Sequence, residues 1–233
     1  MDDINSILNE IKKTALNDLF TGDFDSAIDD LKKAEMMDGE NPEILFNLGI
    51  AYCRKGLFKT AYDYFVKVLN LKISYINTAL VKKNLAFCLI KNENYNEALS
   101  FLEEVIKDFK SDIHALNMRG YCLEKKGELK NALMAYREIF HYDRSNLNSL
   151  NSTSYLMAAL GIELKSALKI AKFVYEKDKL NPAYNDTIGF VYMKMGNFPE
   201  AEKYLKTANS VLPFNEEIKI HIKELNDLKK KNV

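Results

Sequence analysis

The sequence predicts an all-α fold, a right-handed solenoid of about six helix-turn-helix repeats closed by a C-terminal capping helix. Alanines at 27, 61, 98, 132, 167 and 201 are separated by 34, 37, 34, 35 and 34 residues, a period that suits one helical hairpin. Three stretches share one arrangement: "GIAYCRKGLFKTAYDYF" from Gly49, "GYCLEKKGELKNALMAY" from Gly120 and "GFVYMKMGNFPEAEKYL" from Gly189. Each has a second glycine seven residues on, an alanine five further and a bulky residue four beyond that (Phe65, Tyr136, Leu205). Each also holds two runs of helical periodicity joined at a glycine.

The first repeat, 4–40, is marked by Gly22, Ala27, Leu31 and Ala34. The second, 41–74, opens at Asn41-Pro42, an N-cap followed by proline at the first helical position. Its apolar runs are Leu45, Leu48 and Tyr52, then Ala61, Tyr64, Phe65 and Val68. The third, 78–111, is a weaker copy with Ala98 and Leu102, and Asn94 with Glu97 has capping-box spacing. Three extra residues within "NLKISYINTAL" predict a longer turn or helix before it. The fourth is 112–146. In the fifth, 147–181, Tyr155 falls on a slot usually small and Ala171 on one usually large, so the two are expected to compensate in volume. The sixth, 182–214, begins at Asn181-Pro182, has Asn197 and Glu200 at capping-box spacing, and carries Pro199 in a first turn, where it is tolerated. From 215 to 230, Ile218, Ile220, Ile222, Leu225 and Leu228 describe an amphipathic helix that covers the end of the stack, its final lysines suited to a helix C-terminus.

A hairpin of this kind cannot bury both its faces alone, so neighbours stack. Nine glycines and four prolines form no linker tract, which predicts one continuous unit over 1–233. Lysine plus arginine equals aspartate plus glutamate at 33 each, so no net field favours nucleic acid or an anionic membrane. No apolar run has the length of a signal peptide or a membrane span, and a cytoplasmic location without membrane insertion is expected.

Chemistry is not expected. His114, His141 and His221 lie far apart, and no metal, nucleophile-elbow or phosphate-loop motif occurs. Cys53, Cys88 and Cys122 form neither a disulfide framework nor a zinc site, and Cys88 and Cys122 read as small packing residues. No paired acid and base stands out. A non-enzymatic protein without cofactor or metal follows.

The repeats resemble the tetratricopeptide repeat, whose W-x2-L-G-x2-Y, A-x3-F, P pattern they partly keep over residues 4 to 214. In the last copy Ile188 and Gly189 fill the L-G pair, Tyr192 the aromatic slot, Ala201 and Leu205 the A-x3-F pair, and Pro213 the terminal proline. Tryptophan is absent from the chain. The resemblance implies a scaffold or adaptor that binds a partner polypeptide in the concave groove lined by each first helix. A chaperone holding an apolar client segment during secretion or envelope assembly is the alternative.

Carried over slot by slot, the central column of that groove holds Leu16, Ile50, Phe87, Tyr121, Leu156 and Phe190. Four positions earlier stand Lys12, Phe46, Lys83, Asn117, Ser152 and Asp186, followed by Lys13, Asn47, Asn84, Met118, Thr153 and Thr187. The rim carries Arg54, Lys91, Lys125 and Lys194. The partner implied has apolar anchors and acidic flanks, with Asn47 and Asn84 available to an extended backbone. Burial of the column between helices, serving stability alone, is the competing reading. Some family members clamp acidic chaperone tails; Lys12 and Asn47 match that clamp, but Leu16, Leu80 and Asn84 depart from it, so the clamp is not expected. Homo-oligomerisation through the end helix or the turn near Tyr75 stays open.

Overall fold

The computed structural model describes residues 2–73 and 75–231. Thirteen α-helices and no strand occur among them: α1 (Asp2–Thr21), α2 (Phe24–Met37), α3 (Pro42–Arg54), α4 (Phe58–Asn70), α5 (Thr78–Lys91), α6 (Tyr95–Asp108), α7 (Ile113–Lys125), α8 (Leu129–Ile139), α9 (Leu147–Ala159), α10 (Leu164–Tyr175), α11 (Pro182–Lys194), α12 (Phe198–Val211) and α13 (Glu216–Lys231). This is the helix-turn-helix repeat architecture that the alanine period predicts. Two compact units divide the chain, 1–115 and 116–233.

The repeats start on a side-chain cap. Asn41, Asn77, Asp112, Asn146, Asn181 and Asn215 each accept a hydrogen bond from a backbone N–H in the first turn of the helix that follows, satisfying donors that a helix start leaves unpaired. Asn197 caps α12 in the same way through the Glu200 N–H. At α6 the expected capping box does not form, because the Asn94 amide donates to the Glu97 carboxylate at 2.8 Å and leaves the backbone uncapped by a side chain.

Inside each hairpin the turn requires left-handed backbone. Gly22, Gly56, Gly127, Gly161 and Gly196 have φ between 68° and 89°, and Glu93 fills the equivalent place with φ of 60°. Glycine adopts such angles without a Cβ clash. The other conserved spelling within the chain has a packing cause: a Cβ on Gly49 would lie 2.6 Å from the Phe65 ring, one on Gly120 2.8 Å from Tyr136 and one on Gly189 2.8 Å from Leu205. The missing side chain on one helix is the space that the bulky residue of the other fills.

In the unit 1–115, α1 packs on α2, α3 on α4 and α5 on α6, with α2 against α3 and α4 against α5 linking the hairpins. Leu31, Ile44, Leu48, Phe65 and Leu85 are fully buried between them, each burial stabilising by about 1.5–3 kcal/mol. In the unit 116–233, α9 packs on α10 and α11 on α12, and α13 lies against both α12 and α11. Leu116, Ile139, Leu156, Met157, Ile188 and Leu205 are among its fully buried residues.

The fifth hairpin corrects the sequence reading. Its turn carries one residue more than the others, with Gly161 and Glu163 both at positive φ, so counting back from Ala167 misplaces α9 by one position. Counting eight residues on from the cap gives Gly49, Gly120 and Gly189 in their repeats and Ser154 in this one. Ser154 is fully buried and donates to the Ala167 carbonyl at 2.8 Å. Tyr155 therefore belongs to the inner column and Leu156 to the packing slot of Ala51 and Cys122. Tyr155 does not compensate Ala171; its ring packs 4.9 Å from Phe190 and 5.8 Å from His221.

Candidate functional site

The predicted inner column divides in two. Leu16 and Tyr121 are about two-fifths exposed and Ile50 and Phe87 are half-buried, whereas Leu156 and Phe190 are buried. For Leu156 the cause is the shifted register just described. For Phe190 it is α13, which does more than cover an end: the His221 ring lies 4.5 Å from the Phe190 ring, and His221 Nδ1 is 2.9 Å from Asp186 Oδ1. The rim residue Lys194 sits 4.9 Å over Phe190 and is paired with Glu224 of α13 at 2.6 Å. Phe190, Asp186 and Lys194, all expected in the groove, are thus occupied by the chain itself.

A cavity of about 150 Å³ remains beside this contact, where Glu124, Tyr155, Asp186, Thr187 and Glu217 converge. Burial, reinforced by the charge of Glu217 and opposed by Lys125 and Tyr136, pushes the Glu124 carboxyl up to about 7.

Apart from Tyr121, the open part of the column lies in the unit 1–115. Between α3 and α5 is a cavity of about 450 Å³. Ile50, Phe58, Leu80 and Phe87 give it apolar walls, and Arg54, Lys83 and His114 its polar ones. Phe58 and Phe87 meet edge to face at 5.9 Å, an arrangement that favours aromatic pairs. Lys91, one turn on from Phe87, stands 5.5 Å above that ring and 6.0 Å above Phe58, within the range of a cation–π attraction. Lys125 holds the same relation to Tyr121 at 5.5 Å in the other unit.

The predicted polar contacts fare differently. Arg54 is exposed, and neither it nor Lys91 is held by a carboxylate among the described residues. Lys83 pairs with Asp112 at 2.6 Å; burial works against ionised Asp112, but Lys83 and the Ala115 N–H prevail and hold its carboxyl below the ordinary range. Lys12 pairs with Glu43. Asn84 donates to the Leu80 carbonyl of its own helix at 2.9 Å. Asn47 and Asn117 are half-buried. Phe46 packs edge to face on Phe65 at 5.5 Å and lines a second cavity of about 240 Å³ with Tyr75, Ile76 and Leu80.

Phe58, Cys53 and His114 were not legible as lining residues, because the family's groove slots admit only fixed positions of the first helices; Leu80 was legible only as a departure from the clamp. Phe58 opens a second helix, directly after the turn at Gly56. No group of three or more His, Cys, Asp or Glu side chains among the described residues is placed to hold a metal ion. None of the described helices is long and apolar enough to cross a membrane.

No curated protein matches the chain. Solved structures similar in fold include a tetratricopeptide repeat protein from Parabacteroides merdae, with 15% identity over 95% of this chain and 93% of that one and a TM-score of 0.74. YrrB, described as a TPR protein with an unusual peptide-binding site, has 20% identity over 83% of this chain and 97% of its own, with a TM-score of 0.59. PilW, described as a widely conserved type IV pilus biogenesis factor, has 16% identity over 93% and 98%, with a TM-score of 0.74. Residues 13–69 and 89–140 match the family model described as tetratricopeptide repeat. With the turn glycines, the small-to-large contacts and the paired helices already in place, residues 13–69 and 89–140 are tetratricopeptide repeats, and the helices beyond them continue the same helix-turn-helix architecture.

Proposed function

We propose that the protein holds a segment of another polypeptide in the α3–α5 cavity, with an apolar side chain seated among Ile50, Phe58 and Phe87 and a carboxylate facing Arg54. Tetratricopeptide arrays generally act as non-enzymatic scaffolds that bind partner peptides in a groove. The observation that carries the reading here is the coincidence of an aromatic-walled cavity with Arg54, a lining cation that no carboxylate among the described residues pairs, whereas Lys83 is paired with Asp112. Aromatic anchors in a concavity supply binding energy, and the uncompensated charge supplies selectivity.

The test is a random-peptide array probed with the parent protein, Phe87→Ala and Arg54→Glu. Retained peptides are expected to combine one large apolar residue with Asp or Glu. Phe87→Ala lowers their affinity at least about tenfold, the loss of roughly 1.4 kcal/mol. Arg54→Glu reverses the charge preference of the flanks; an unchanged preference rejects the proposed orientation.

The fold likeness to PilW, a pilus biogenesis factor, and the predominance of apolar walls favour a particular role, that of an assembly chaperone holding an apolar client segment. That role predicts stoichiometric protection of an aggregation-prone apolar peptide, lost in Phe87→Ala. A scaffold alone binds without protecting.

A further inference from the structure

Two thiols meet at the edge of the α3–α5 cavity. Cys53 is half-buried and lines it, and its Sγ lies 3.3 Å from the Sγ of Cys88, which is fully buried. A disulfide requires about 2.05 Å between sulfurs, so closure asks for a shift of roughly an ångström. Packing explains one member of the pair: Cys88 stands in the small slot that Ala51 and Cys122 fill elsewhere. It does not explain a second sulfur aimed at the first, since the corresponding residues in other repeats are Leu19, Ile90, Glu124, Ala158 and Met193.

The two sulfurs are also unequal. The hydrogen bond with Cys88 holds the Cys53 thiol below its ordinary range despite burial, and Arg54 acts in the same direction. The same contact and burial push Cys88 up. Cys122 has no such partner and is pushed up to about 11, chiefly by burial. A half-buried, cavity-lining sulfur 3.3 Å from a fully buried second thiol is the arrangement of a thiol that oxidises and is then resolved.

We propose that Cys53 and Cys88 form a peroxide-responsive dithiol whose disulfide staples α3 to α5 at the wall of the cavity. The Cys53 thiolate attacks one oxygen of hydrogen peroxide; the O–O bond breaks, hydroxide leaves, and Cys53 becomes a sulfenic acid. The Cys88 sulfur then attacks Cys53 Sγ. The S–S bond forms, the S–O bond breaks, and the departing hydroxide takes the Cys88 proton as water. Two thiols are oxidised and one peroxide is reduced to two waters. The bridge would tie helices from successive repeats across a separation of 35 residues. This inference goes beyond the peptide-binding reading and stands whether or not that reading holds.

The experiment treats the intact, folded protein with hydrogen peroxide and counts thiols under denaturation. The count is expected to fall from three per chain to one, with a mass loss of about 2 Da, a single Cys53–Cys88 peptide in the digest and full recovery with dithiothreitol. Cys122→Ser loses the remaining pair identically. Cys88→Ala, a residue its slot accepts in the second repeat, stops at a Cys53 sulfenic acid trapped by dimedone. Cys53→Ala retains both remaining thiols. Three surviving thiols, a bridge between chains or to Cys122, or the same mass loss in Cys88→Ala would each overturn the proposal.

Discussion

His221 packs its ring on Phe190 while its Nδ1 meets Asp186, so a single side chain of α13 closes both the apolar and the acidic part of the surface that α11 was expected to offer. Phe190 and Phe87 therefore part company although they share a slot. Phe190→Ala empties a buried site and is expected to destabilise by about 3–5 kcal/mol, whereas the half-buried Phe87→Ala loses about 1–2 kcal/mol. Urea midpoints of the two variants check this, and equal losses would mean that α13 does not cover Phe190.

Removing either partner of the His221–Asp186 contact leaves a buried polar group unsatisfied. Each single alanine variant is expected to lose about 1–3 kcal/mol. The double variant should lose less than the sum, because no orphan remains. A double-mutant cycle measures the difference, and simple additivity would deny the contact its role.

The two kinds of glycine answer differently to substitution. Gly49→Ala drives a Cβ into the Phe65 ring and is expected to lose about 1–3 kcal/mol. Gly56 has open space around it, so Gly56→Ala pays only for its positive φ, about 1 kcal/mol. In the opposite direction, Glu93→Gly relieves the same backbone angle and should raise stability by about 0.5–1 kcal/mol. Thermal unfolding of the three variants ranks them.

What could be read from the sequence was whatever each repeat spells locally. The small-to-large complementarity of Gly49 with Phe65 is written in both helices, and so is the turn glycine, which is why the hairpins and their period were legible. Two things were not. The register of α9 depended on the length of the turn at Gly161, and a count from Ala167 assumes that length; the cap at Asn146 held the missing information. The fate of Phe190, Asp186 and Lys194 depended on where α13 docks, which no spacing within α11 encodes. Lys83 likewise looked free until Asp112, 29 residues away, came to it.

Acidity offers a fourth test. Burial raises the folded carboxyl of Glu124 to about 7 from an ordinary 4.5, so between those values the folded chain binds the extra proton and the unfolded chain does not. Stability should accordingly fall as pH rises from about 4.5 to 7, by at most about 3 kcal/mol from this group, and then level off. Glu124→Gln should flatten that slope and be the more stable protein at pH 8. An unaltered pH profile in the variant would remove Glu124 as its source.

The added residue near Gly161 has a wider meaning for how such arrays diversify. One amino acid inserted between two helices rotates the side chains of one relative to the consensus by about 100°, handing the inner-column position expected of Leu156 to Tyr155 without any substitution. Insertions and deletions at hairpin tips can thus rewrite a recognition surface wholesale. Alignments scored by residue identity alone will overlook the event.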